Sequence, residues 1–221
     1  MKKSLLLLLI AVTTDCFSQD SLSRWSFGLM GGVEQCGRSL NHTEGDQGAI
    51  DQWNSLENNV WRLSGGLRAE RKLSEHFSLL TGLNYTDRGY SIDTLKESSL
   101  YDLNFHFRYV EVPVGVIYTG KSFGKNAVLA SAGMSLGYAV NNVLFYRKDG
   151  QSALFDMQAV SDINPFQANV SAALGVRRAI TNSANADFYL CGNQSLLSLA
   201  QGTLERRFYT FGFCIAVTSR F

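Results

Sequence analysis

The chain has 221 residues, 45% of them hydrophobic and 18% charged, with a formal net charge of +1. That balance excludes a nucleic-acid binder, which needs a basic surplus gathered on one face. After Val12 no apolar run approaches the roughly 20 residues of a helical membrane span, and two prolines and 20 glycines scattered among short alternating stretches point to an all-β chain.

Residues 1–18 have the three-part layout of a secretory signal: Lys2 and Lys3, an apolar run from Leu5 to Val12, and small Cys16 and Ser18 where a signal peptidase reads. Cleavage is expected after Ser18, leaving 19–221 as one domain. Acylation of Cys16 is disfavoured by Asp15, which stands where a small residue is wanted. Removal of the leader takes two of the 20 basic and one of the 19 acidic side chains, so the remaining charges balance.

Eight alternating segments follow, each with period two. The first, 24–35, sets Trp25, Phe27, Leu29 and Val33 against Ser26, Gly28, Gly32 and Glu34. The second, 60–70, sets Trp61, Leu63 and Leu67 against Arg62, Ser64, Gly66, Arg68 and Glu70. In 77–90, Leu79, Leu83 and Tyr85 oppose Ser78, Gly82 and Asn84; in 105–118, Val110, Val112, Val114 and Val116 oppose Glu111, Pro113 and Gly115. The fifth, 127–140, and sixth, 166–178, continue the pattern, with Gln167, Asn169 and Arg177 on the polar side of the latter. The seventh, 188–197, is short. The eighth alternates Tyr209, Phe211, Phe213, Ile215, Val217 and Phe221 with Thr210, Gly212, Cys214, Ala216 and Thr218.

Connections after segments 1, 3 and 5 are long and polar, whereas those after 2, 4 and 6 are short. Roomy extracellular loops alternating with tight periplasmic turns are the pattern of an outer-membrane barrel. It places 41–58, 91–104 and 141–164 outside the cell and 72–76, 120–126 and 181–185 in the periplasm. The expected fold is therefore an eight-stranded antiparallel transmembrane β-barrel. A lipocalin-like soluble barrel would need a richly charged outer face; here the face opposite the apolar one is mostly Gly, Ser, Ala and Asn, which suits a cramped lumen. Aromatics at both ends of the apolar face, Trp25, Phe77, Tyr118, Phe188 and Phe221 below and Trp61, Tyr85, Tyr138, Phe166 and Tyr209 above, predict two interfacial girdles.

Phe213, Ile215, Val217 and the terminal Phe221 resemble the signal by which the barrel-assembly machinery reads its substrates, with Ser219 a departure from the spacing. The hairpin over 71–89 (RKLSEHFSLLTGLNYTDRG), the segment Tyr109-Val110-Glu111-Val112-Pro113-Val114, the 133–138 strand and the last strand resemble the PorT-like outer-membrane barrels of Bacteroidetes. The resemblance spans nearly the whole exported region. It implies outer-membrane location, and through the founding member it implies a link to secretion of cell-surface proteins.

Arg62, Arg68, Glu70, Glu111 and Arg177 are expected to face the lumen. Isolated charges there would be very costly, so an ion-pair network plugging a narrow barrel is expected in place of a conducting path. Cys191 and Cys214 are equidistant from a turn near Gly202 and Thr203; a disulfide between directly opposed positions is one reading, two small space-filling residues the other. Cys36 has no evident partner. His76 and Ser78 have a His-x-Ser spacing but fall at a periplasmic turn, and no metal spacing, phosphate loop or nucleotide signature occurs.

No cofactor is expected. The expected partners are outer-membrane lipid, the assembly machinery and a protein or surface partner met through long loops carrying Trp53, Leu144, Phe145 and Phe155. A non-enzymatic structural or interaction role in secretion or surface assembly leads, with a lipid-acting enzyme or a small-solute channel as alternatives.

Overall fold

The computed structural model describes residues 25–42, 55–94, 101–148, 151–156, 163–199 and 204–220. The predicted leader, Trp53, the Gly202–Thr203 turn and Phe221 lie outside the described residues. Ten strands form: β1 (Trp25–His42), β2 (Glu57–Asn58), β3 (Val60–Lys72), β4 (Phe77–Thr94), β5 (Tyr101–Phe123), β6 (Asn126–Lys148), β7 (Gln151–Asp156), β8 (Phe166–Ala179), β9 (Ala184–Ser195) and β10 (Leu204–Arg220). Eight of them pair antiparallel in the ring β1-β3-β4-β5-β6-β8-β9-β10, and β10 returns to β1. Closure removes every edge in the wall, the condition for crossing a bilayer with strands. The short β2 adds to β4 and β7 adds to β6.

Side-chain alternation determines which face meets lipid. Leu29, Leu63, Leu67, Val114, Leu136, Leu174 and Phe211 are exposed, while the opposite face carries the buried Glu34, Arg68, Glu70, Arg88, Glu111 and Asp187. The outward aromatics gather at two levels, with Phe77 and Tyr118 in contact near one end and Tyr138 and Phe166 near the other. No described helix is long and apolar enough to cross a membrane, and this wall crosses with strands instead.

Glycine makes room for the large inward groups. Gly28 and Gly82 flank Arg68 in one cross-strand row, Gly137 lies beside Glu111, Gly175 beside Tyr189, and Gly212 between Glu34 and Cys191. At Gly28, Gly82 and Gly175 an added Cβ would strike the neighbouring strand's backbone. Gly124 is the one described glycine with positive φ, 65°, in the two-residue turn between β5 and β6.

The structure corrects the loop boundaries. β1 runs to His42, β4 to Thr94, β5 begins at Tyr101, and β6 continues to Lys148 and pairs with β7. Parts of the expected loops 41–58, 91–104 and 141–164 are thus strand. The cause lies on the inward face, which turns apolar above Arg88: Tyr90, Ile92, Phe107, Tyr109, Leu199 and Phe208 form a buried cluster against which Leu56, Leu103, Phe105, Ala139 and Ile163 pack. Each such buried side chain contributes roughly 1.5–3 kcal/mol, which extends the wall past the upper girdle as a crown. β9 likewise starts at Ala184, four residues before the expected 188, and ends at Ser195.

Candidate functional site

Two polar layers cross the lumen. In the lower one, Arg68 of β3 donates through Nε to Glu70 Oε1 at 2.8 Å, through Nη2 to Asp187 Oδ2 at 3.0 Å and through Nη1 to the Tyr189 hydroxyl at 3.2 Å. Arg177 of β8 reaches the same two carboxylates, donating to Asp187 Oδ2 at 2.7 Å and Glu70 Oε2 at 2.8 Å. Two guanidiniums and two carboxylates from three strands close a ring of charge-assisted bonds, the strong class of hydrogen bond.

In the upper layer, Arg88 of β4 pairs with Glu111 Oε1 at 2.8 Å and donates to Asn169 Oδ1 at 2.6 Å. Thr86 and Ser135 donate to the Glu111 carboxylate at 3.1 and 2.9 Å, and Ser195 donates to Asn169 at 2.8 Å. Between the layers lies a cavity of about 100 Å³, bordered by Glu34, Ser64, Arg68, Asn84, Arg88 and Glu111 among others. Glu34 accepts from Ser64 at 2.8 Å, Asn193 at 3.1 Å and Thr210 at 2.5 Å. Above the upper layer the crown closes the axis with apolar side chains, and a buried Arg38–Glu57 ion pair holds its rim while Arg38 lies 3.9 Å over the Tyr90 ring.

Of the residues singled out in the sequence, the structure brings Arg68, Glu70 and Arg177 together and places Glu111 in the other layer. Arg62 is not in the lumen network. Pairing of β3 with β4 stops at Ser64 and Thr86, and the Arg62 guanidinium turns into the resulting seam. There it donates to Asn104 and, at 3.2 Å, to the Phe105 carbonyl, with Asp87 at 3.9 Å. Sequence reasoning missed Arg88 and Asp187. Arg88 continues the inward parity of Asn84 and Thr86, which was the available signal; Asp187 stood just outside the expected seventh segment.

Cys191 and Cys214 are joined as a disulfide with their Cα atoms 6.5 Å apart. They are not directly opposed as expected: Cys191 faces Gly212 and Cys214 faces Tyr189, so the bridge runs diagonally. The difference is an offset of two residues in the β9–β10 register. Replacing both cysteines by serine should cost about 3 kcal/mol through the freed loop, read as a lower urea midpoint. Non-reducing peptide mass spectrometry of the native chain should yield the linked pair. Cys36 is buried and free, its thiol 3.9 Å from the Asp87 carbonyl.

His76 closes the β3–β4 turn, its Nδ1 2.9 Å from the Thr119 carbonyl and its ring 5.9 Å from Tyr118. His106 stands 2.8 Å from Asp87, beside the Arg62 seam.

A closed eight-strand wall with a lipid-exposed apolar belt defines an integral outer-membrane β-barrel protein. The family model for the outer membrane protein beta-barrel domain matches residues 17–197, and the chain belongs to that family. No curated protein matches it. Among solved structures it is similar to Neisserial surface protein A, with 12% identity, 88% of this chain and 97% of that one covered, and a TM-score of 0.45. It is similar also to OprG from Pseudomonas aeruginosa, with 9% identity, coverage of 90% and 99%, and a TM-score of 0.44. The Yersinia pestis attachment invasion locus protein Ail, crystallised with the heparin analogue sucrose octasulfate, has 12% identity, coverage of 87% and 99%, and a TM-score of 0.37. The outer membrane is where this chain resides.

Proposed function

We propose that this barrel is a plugged, non-enzymatic interaction protein that works through its extracellular crown. The observation that carries the reading is the double polar layer: two sets of buried ion pairs cross the lumen, and an apolar core lies above them. Eight strands leave room for little more than side chains, so solute passage would require breaking both layers.

The surface then becomes the working part. The β6–β7 ribbon rises beyond the upper girdle and exposes Phe145, Leu154 and Phe155. Exposed apolar groups of this kind mark contact sites for other macromolecules. The resemblance to PorT-like barrels supports a protein partner in secretion or surface assembly.

Two measurements test the reading. In planar bilayers the chain should give no steady conductance; a large, steady one would favour the channel alternative. Replacing Phe145, Leu154 and Phe155 together with Thr, which suits a strand and adds no opposed charges, should abolish crosslinked complexes from intact cells while the chain still folds, read as a retained cooperative urea transition. Retention of every crosslinked complex would place the contact elsewhere.

A further inference from the structure

The lumen's charges do not balance. Among the described residues the two layers and the cavity between them hold three guanidiniums, Arg68, Arg88 and Arg177, against four carboxylates, Glu34, Glu70, Glu111 and Asp187. Arg68 and Arg177 are matched by Glu70 and Asp187, and Arg88 by Glu111. The carboxylate left over is Glu34, which is 9% exposed and, among the described residues, takes part in no ion pair.

The groups bonded to it are neutral: Arg62, its cross-strand partner, turns away to the Phe105 carbonyl, and the Arg68 and Arg88 guanidiniums that border the same cavity pair with Asp187 and Glu111. Ser64, Asn193 and Thr210 donate to it, and the sulfurs of Cys191 and Cys214 lie within 4.8 Å of its carboxylate. Those sulfurs are bonded to each other and so are not thiolate ligands. An excess buried charge is expensive unless something compensates it.

A second feature of the same cavity points to what compensates it. Asn84 Oδ1 is buried without any hydrogen-bond partner, and Asn84 borders the cavity with Glu34, Ser64 and Thr86. A carboxylate, an amide carbonyl and hydroxyls form an all-oxygen set, the donor type that hard cations select. At about 100 Å³ the cavity is large enough for an ion with several waters, each of which needs roughly 10–15 Å³.

We infer that the chamber binds one alkali-metal cation, held by the Glu34 carboxylate and Asn84 Oδ1, with hydroxyls and water completing its shell. The excess of one negative charge sets the ion's valence: a divalent ion would leave the lumen with a positive surplus.

The test compares the chain refolded in sodium chloride, potassium chloride and choline chloride at equal ionic strength. The urea midpoint should be higher in one or both alkali salts than in choline. Elemental analysis of the desalted protein should find one sodium or potassium per chain. Glu34→Gln, which keeps the side chain's size but not its charge, should lose both the bound ion and the salt preference. The inference is overturned if the wild-type midpoint is the same in all three salts. It is also overturned if the infrared spectrum shows a protonated carboxyl that disappears in Glu34→Gln, because a proton would then be the compensating charge. Wild-type protein alone decides the first comparison should the variant fail to fold.

Discussion

Asp187→Asn is expected to destabilise the barrel by about 3–5 kcal/mol, the range for removing one partner from a buried ion pair. Asp187 is 1% exposed and receives bonds from both Arg68 and Arg177. Its neutralisation leaves two guanidiniums sharing Glu70, with Arg68 buried and Arg177 only partly exposed. The loss should appear as a lower urea midpoint, with unfolding followed by tryptophan fluorescence in detergent or vesicles.

The charge arithmetic gives the control. Adding Arg68→Met to Asp187→Asn removes the surplus cation and leaves Arg177 paired with Glu70 at 2.8 Å. The double variant should be more stable than Asp187→Asn alone, a non-additivity of the kind residues in one network show. Simple additivity of the two losses would mean that the layer acts as separate contacts and not as a charge-balanced unit.

Gly82→Val is expected to be more severe still. The Cβ would strike the Leu67 carbonyl of the neighbouring strand, and the branched side chain would enter the space filled by Arg68. Backbone cannot yield there without breaking the β3–β4 ladder, and overpacking that displaces a buried charge combines two of the mechanisms behind the largest losses. The variant should fail to reach the heat-modifiable folded form on gels. Gly65→Val provides the contrast, since a Cβ at Gly65 meets only the Met30 carbonyl at 3.5 Å and faces outward. It should fold.

Much of the architecture was readable because a barrel wall imposes one rule, in versus out, at every second residue. Leu63, Leu67, Val112 and Val114 could be assigned to lipid by parity alone, and each is exposed. Parity also placed Arg68, Glu70, Glu111 and Arg177 inward, but it carries no information on depth or on partners across the lumen. The division of Glu111 from the other three depends on the stagger of the strands around the ring, which only the register settles. Arg62 shows where parity fails: beyond Ser64 the ladder to β4 ends, and a long side chain can leave its nominal face. The crown was hidden for a related reason. Tyr90, Ile92 and Phe107 point inward like the polar residues below them, and parity alone does not tell an apolar side chain in a second core from one that faces lipid.

The crown bears on how the chain reaches its final position. With the crown on the extracellular side, as proposed above, everything above the upper girdle is carried through hydrocarbon before it folds on the far side. Charged groups resist that passage by about 2.5–3.5 kcal/mol each at mid-bilayer, whereas Leu, Ile and Phe are favoured there. By building the top of the barrel from Ile92, Leu103, Phe105, Phe107, Leu199 and Phe208, the chain makes its translocated cargo easier to move. The aromatic core at that end is then also the part of it that crosses most readily.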